Sequence, residues 1–228
     1  MQPHPVLLIT RPAAAARRFA AQAAGLGLDC VIAPLLRIDP MDHDRAAAAM
    51  ARGLVFTSEN AVPAAGPGRG RPAICVGPQT AAAARAAGFD VTEGPGDAAR
   101  MMPLLQDLGE GWLHLRGAHV AAVLPVPGIV VYDQTALPLP DAARQVLAGN
   151  APVILPLFSP RSARLAAAAL AGEQVRAPLW LAPISPAADA VWTGPAARRA
   201  VASTPDAAGV LGAIAGLTGA AHSSAATG

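Results

Sequence analysis

Short apolar runs alternate with Ala-rich stretches of helical period along almost the whole chain, and that alternation leaves few folds open. VLLIT (6–10) precedes AAAARRFAAQAA (13–24), which stops at Gly25 and Gly27. CVIAPLL (30–36), a weak helix near 42–52 and LVFTS (54–58) follow, then AICVG (73–77), a helix from Gln79 to Ala87 and FDVTEG (89–94). Asp97 is placed to cap a helix through DAARMMPLLQDL (97–108). The second half repeats the scheme with WLHLRG, GIVVY, PVILPLFS, LWLAPIS and AVAST as strands, separated by helices at 141–148, 161–171 and 187–191 and followed by one at 206–217. Strands alternating with helices, without hairpin turns, predict an α/β fold with parallel sheets flanked by helices. Residues 218–228 are small and polar and read as a disordered tail.

The alternation is also a duplication. Arg11 is echoed by Arg116, Ser58 by Ser159, Gly77 by Ser185 and Asp97 by Asp206, in the same order and at nearly constant spacing. Two copies are too few for a solenoid and predict two similar lobes facing a cleft. Each marker sits where an apolar strand gives way to a helix. In open parallel sheets that edge is where ligands bind, and helix N-termini offer N–H groups to anions. Small residues there (Thr57, Ser58, Gly77, Thr80, Ser159, Ser185) let an acidic ligand approach the backbone. The same residue types are also ordinary turn and N-cap residues.

Composition removes several other classes. At 228 residues, 53% hydrophobic and 14% charged, the chain can build real cores. Its apolar runs are interrupted well short of the roughly 20 residues a membrane helix needs. No leader-like segment opens the chain, which reads as cytoplasmic. A net charge of +2 with scattered arginines argues against nucleic acid. Cys30 and Cys75 lie in apolar strands and read as buried spectator thiols, His114 as a core or edge-strand residue. Nucleotide-binding glycine motifs and the GxSxG elbow are absent.

VLLITRP, LVFTSENAV, ICVGPQTAAAARAAGF, VVYDQTAL, LFSPRSA and ASTPDAAGVLGAI, in that order, resemble uroporphyrinogen-III synthases from about residue 5 to residue 217. The resemblance implies two α/β lobes joined by a two-stranded linker, with a cleft between them. It implies residues 1–35 with 138–217 as one lobe, 39–131 as the other, and 36–38 and 132–137 as linker strands. The implied reaction takes hydroxymethylbilane, removes its hydroxyl as water, inverts the terminal D ring and closes the macrocycle. No metal or organic cofactor is implied. The oligomeric state is left open, with a monomer as the simplest reading, and a transient contact with the preceding pathway enzyme is expected.

Site roles follow from the same resemblance. Tyr132, the only tyrosine, would hydrogen-bond the leaving hydroxyl; a strand-end tyrosine packing at the linker is the alternative. Thr57, Ser58 and Asn60 match one carboxylate-binding turn, Gly77 and Thr80 a second, and Ser159 with Ser162 a third. Thr10 and Arg11 close the first strand and Arg116 its echo, with surface ion pairing as the other use of these arginines. Asp97 and Asp206 read as helix caps. The fourth turn departs from the family pattern, with Ser185 and Ala188 where Gly and Thr are expected. Two other readings stay open: a catalytically degenerate homologue, and a non-catalytic two-lobed binder of an anionic small molecule.

Overall fold

The structure is a computed structural model that describes residues 3–98, 100–120 and 122–225, with side chains as far as residue 219. In chain order the first elements are β1 (Val6–Ile9), α1 (Ala13–Ala23), β2 (Asp29–Ile32), β3 (Leu36–Pro40), α2 (Arg45–Met50) and β4 (Gly53–Phe56). A 3₁₀ helix (Glu59–Ala65), β5 (Pro72–Cys75), α3 (Pro78–Ala86), β6 (Asp90–Glu93), α4 (Met102–Leu105), β7 (Trp112–Gly117) and β8 (Gly128–Ala136) follow. The last are α5 (Asp141–Leu147), β9 (Val153–Leu157), α6 (Pro160–Leu170), β10 (Leu179–Pro183), α7 (Pro186–Ala190), β11 (Arg198–Arg199) and α8 (Ala207–Ala225).

The fold is α/β, with two sheets in two compact units. The first unit is Met1–Arg37 with Ala136–Gly228, and the second is Ile38–Thr135. The chain passes from one to the other inside β3 and back inside β8, strands that are neighbours in one sheet.

The first unit carries a five-stranded sheet in the order β11-β10-β9-β1-β2, every pair parallel. Its central strands read as unbroken apolar runs because both faces are covered. Alternation along β1 sends Leu8 to one side, against Leu155, Leu181, Leu147 of α5 and Ala163, Ala166 and Leu170 of α6. Leu7 and Ile9 go to the other, against Phe19 of α1, Trp180, and Val210 and Ile214 of α8.

The second unit carries a six-stranded sheet in the order β3-β8-β7-β4-β5-β6, parallel at β8/β7, β7/β4, β4/β5 and β5/β6. Leu54, Phe56, Leu115 and Tyr132 pack with alanines of α3 and the 3₁₀ helix on one face. Val55, Ile74, Met101, Leu105, Leu124 and Val126 fill the other.

Several sequence expectations need correction. CVIAPLL is two strand segments split at residues 33–35, with β2 in the first sheet and β3 in the second. The helix expected from Asp97 shrinks to Met102–Leu105. The Asp97 carboxylate instead accepts from Arg100 N at 3.2 Å in a preceding turn. AVAST is not a strand; β11 is only the two residues before it. Helix α8 continues through 218–225, part of the stretch read as a tail; 226–228 lie outside the described residues. Cys30 is exposed, because β2 is an edge strand. Cys75 is buried, and burial pushes its thiol up to about 11, which leaves it inert.

Candidate functional site

Four helical segments begin where a parallel strand ends, and their first residues share one conformation. Ser58, Gly77, Ser159 and Ser185 are all extended, with φ/ψ of −155/140, −173/−175, −169/160 and −160/161°. Pro follows immediately at Pro78, Pro160 and Pro186, a position where the missing N–H costs nothing. The repeated strand end is a side-chain cap at Ser58, Ser159 and Ser185, while Gly77 repeats only the extended backbone.

In the first unit the rim collects Thr10, Arg11, Ser159, Ser162 and Ser185 because β1, β9 and β10 are sheet neighbours. Thr10 is 5% exposed, and its carbonyl accepts from Leu35 N at 3.1 Å. The Arg11 guanidinium lies 3.9 Å above the Phe158 ring, which holds it next to Ser159. Phe158 in turn meets Phe19 edge-on at 4.8 Å. Ser159 and Ser162 form a full capping box: Ser162 N donates to Ser159 Oγ at 3.1 Å, and Ser159 N donates to Ser162 Oγ at 3.0 Å. Ser185 Oγ accepts from Ala188 N at 3.3 Å on a helix of five residues. These hydroxyls already serve their own helices. Arg161, in the first turn of α6, has a buried Nε with no hydrogen-bond partner among the described residues.

In the second unit the rim collects Thr57, Ser58, Asn60, Gly77, Thr80, Arg116 and Tyr132 from β4, β5, β7, β8 and the helices after them. Ser58 Oγ accepts from Asn60 N at 3.3 Å. Gln79 Nε2 donates to Glu59 Oε2 at 3.2 Å, tying the 3₁₀ helix to α3. Thr80 is 5% exposed on the inner face of α3. Arg116 donates from Nη1 to Gly117 O at 3.1 Å, and Gly128 on β8 leaves room for it: a Cβ there would sit 2.8 Å from Arg116 Nε.

Tyr132 is 5% exposed and belongs to the core cluster of Phe56 and Leu115. It pairs with Gly117 across a register shift, and Ala118 N donates to its carbonyl at 2.9 Å. The ring lies against Gly117, where a Cβ would come within 2.7 Å of Cζ.

One residue that the sequence reads as a core or edge-strand histidine also reaches the rim. His114, 2% exposed on the interior strand β7, lies 3.0 Å by Nε2 from Thr57 Oγ1. Burial first, and the Arg116 charge second, lower its pKa to about 4, so the ring is neutral at pH 7. Among the described residues no group of three or more His, Cys, Asp or Glu is placed to hold a metal. Nor is any helix among them long and apolar enough to cross a membrane.

Two α/β units whose strands end in Ser or Gly helix N-caps, with Thr10 and Thr57 beside them, define a class of two-sheet α/β protein with polar strand-end rims. The HEM4 family, uroporphyrinogen-III synthase HemD, matches residues 17–211, and the chain belongs to that family. A uroporphyrinogen-III synthetase from Helicobacter pylori 26695 is similar at 16% identity and a TM-score of 0.59, over 95% of this chain and 100% of that one. A mutant uroporphyrinogen III synthase from the extremely thermophilic bacterium Thermus thermophilus is similar at 14% identity and a TM-score of 0.51, over 96% and 99%. At these identities the likeness establishes the fold. No curated protein matches the sequence.

Proposed function

We propose that this protein is a uroporphyrinogen-III synthase, a lyase that converts hydroxymethylbilane to uroporphyrinogen III with loss of water and inversion of the D ring. The observation that carries the reading is membership of the family over residues 17–211. The strand-end geometry supports it. The substrate bears an acetate and a propionate on each pyrrole, while the chain has a formal charge of only +2. Recognition then falls to oriented N–H groups and hydroxyls at the strand ends, with Arg11 and Arg116 beside them. Departure of the hydroxyl leaves a reactive cation that closes on its own without inversion. Catalysis is therefore chiefly the selection of one folded conformation, a matter of proximity and orientation.

Tyr132 is the candidate to hydrogen-bond the leaving hydroxyl and assist its loss as water. Its ring is fixed by Gly117 on one side and the Phe56 cluster on the other, which supports a precisely held phenol. A cytoplasmic monomer completes the reading. The five-residue α7 and the self-capped Ser185 favour a second reading, a homologue that binds without catalysing. Hydroxymethylbilane is supplied to the purified protein and the uroporphyrinogen isomers are separated. Formation of the III isomer supports the synthase, and the I isomer alone at the spontaneous rate refutes it.

A further inference from the structure

Thr57 differs from the other rim hydroxyls in what holds it. Ser58, Ser159 and Ser185 accept from N–H groups of their own helices, whereas Thr57 Oγ1 meets a side chain 57 residues away. Resting on the synthase reading above, we propose that His114 is a positioning residue: its Nε2–H donates to Thr57 Oγ1 and so commits the Thr57 hydroxyl proton to a carboxylate of the bound substrate.

The placement of the ring follows from the sheet. His114 stands opposite Val55 on β4 and Gly128 on β8, and alternation puts it on the face of β7 that also carries Trp112. Val55 on that face packs with Met101 and Leu105. Thr57 follows Val55 by two residues, one step past the end of β4, so its side chain returns to the same face. Its branched Cβ restricts χ1, and the 3.0 Å contact with Nε2 selects among the rotamers that remain. Arg116, two residues along β7 on the same face, is the charged neighbour that acts on the ring, and with burial it keeps the imidazole neutral.

A neutral imidazole carries one N–H, and a threonine hydroxyl one proton, so the contact has two polarities. If Thr57 donates to Nε2, the rim meets a carboxylate with lone pairs. If Nε2–H donates to Thr57 Oγ1, the hydroxyl proton is left for the ligand, and the first bond polarises the second. Only the latter polarity suits an anionic ligand.

The test has two arms. Side-chain ¹⁵N NMR identifies the tautomer, with the His114 signal assigned by its loss in His114→Gln. The Nε2–H tautomer is expected, and the Nδ1–H tautomer overturns the proposal. In steady-state turnover of hydroxymethylbilane, His114→Leu is expected to raise KM about tenfold with kcat within about twofold of wild type. Thr57→Val should match it, and the double variant should lose no more than either single one. His114→Gln carries an amide donor to the same place and should stay within about threefold of wild-type KM. An unchanged KM in His114→Leu, or additive losses in the double variant, overturns the proposal. Absence of III-isomer formation by the wild type would defeat the synthase reading instead, and the proposal with it, whichever tautomer is found.

Discussion

Replacing Gly117 with Ala drives a methyl group into the Tyr132 ring. The added Cβ would lie 2.7 Å from Cζ, 2.8 Å from Cε2 and 2.9 Å from the hydroxyl oxygen. Carbon atoms in contact prefer about 3.5–4.0 Å, so the ring must retreat by about 1 Å. Behind it lies the cluster of Phe56 and Leu115, already buried. Overpacking of this kind costs about 1–3 kcal/mol. For a chain of this size each kcal/mol lowers Tm by about 2–4 °C, so Gly117→Ala should melt about 2–12 °C below wild type by circular dichroism. The phenol hydroxyl moves with the ring, and a misplacement near 1 Å can cost about 10²-fold in rate. The III-isomer rate should therefore fall further than the stability loss alone explains. In a Tyr132→Ala background the methyl enters vacated space, and the Gly117→Ala penalty should nearly vanish. A Tm within about 1 °C of wild type, or an equal penalty in both backgrounds, would refute the packing described for Tyr132.

Other outcomes follow from the same geometry. Tyr132→Phe keeps the buried ring and should slow III-isomer formation by up to about 10²-fold while product affinity, by fluorescence titration, stays near wild type; an unchanged rate removes the hydroxyl from the mechanism. Because His114 is lowered to about 4 when folded and returns to about 6.5 when unfolded, its contribution to stability is complete above pH 6.5. It is lost as pH falls toward 4, by about 3 kcal/mol in all, and urea midpoints of His114→Gln should lack that part of the slope. Ser159→Ala breaks the capping box of α6 and should cost about 1 kcal/mol, seen as a Tm drop of about 2–4 °C.

The parts of this fold that depend on local chemistry could be read from the chain. The central strands announced themselves by apolar runs, and the caps at Ser159 and Ser185 by hydroxyl residues three positions from the N–H groups they serve. Uniformly apolar CVIAPLL offered no internal boundary, so its division between two sheets was invisible. Cys30 was misjudged because exposure depends on which strand is the edge, and strand order is a property of the whole sheet. Asp97 has a good local capping signal, yet it caps a turn and α4 starts only at Met102. The Thr57–His114 contact was out of reach for the same reason: it exists only because β4 and β7 are neighbours. Whether a rim hydroxyl serves its helix or a ligand is likewise not a local property.

Amide ¹H–¹⁵N shifts recorded while uroporphyrinogen III is titrated in under argon test the account at its centre. It predicts the largest changes at residues 57–60, 77–80 and 159–162, with smaller ones at 185–188 where the helix is short. Changes scattered elsewhere, with these strand ends silent at saturation, would contradict it.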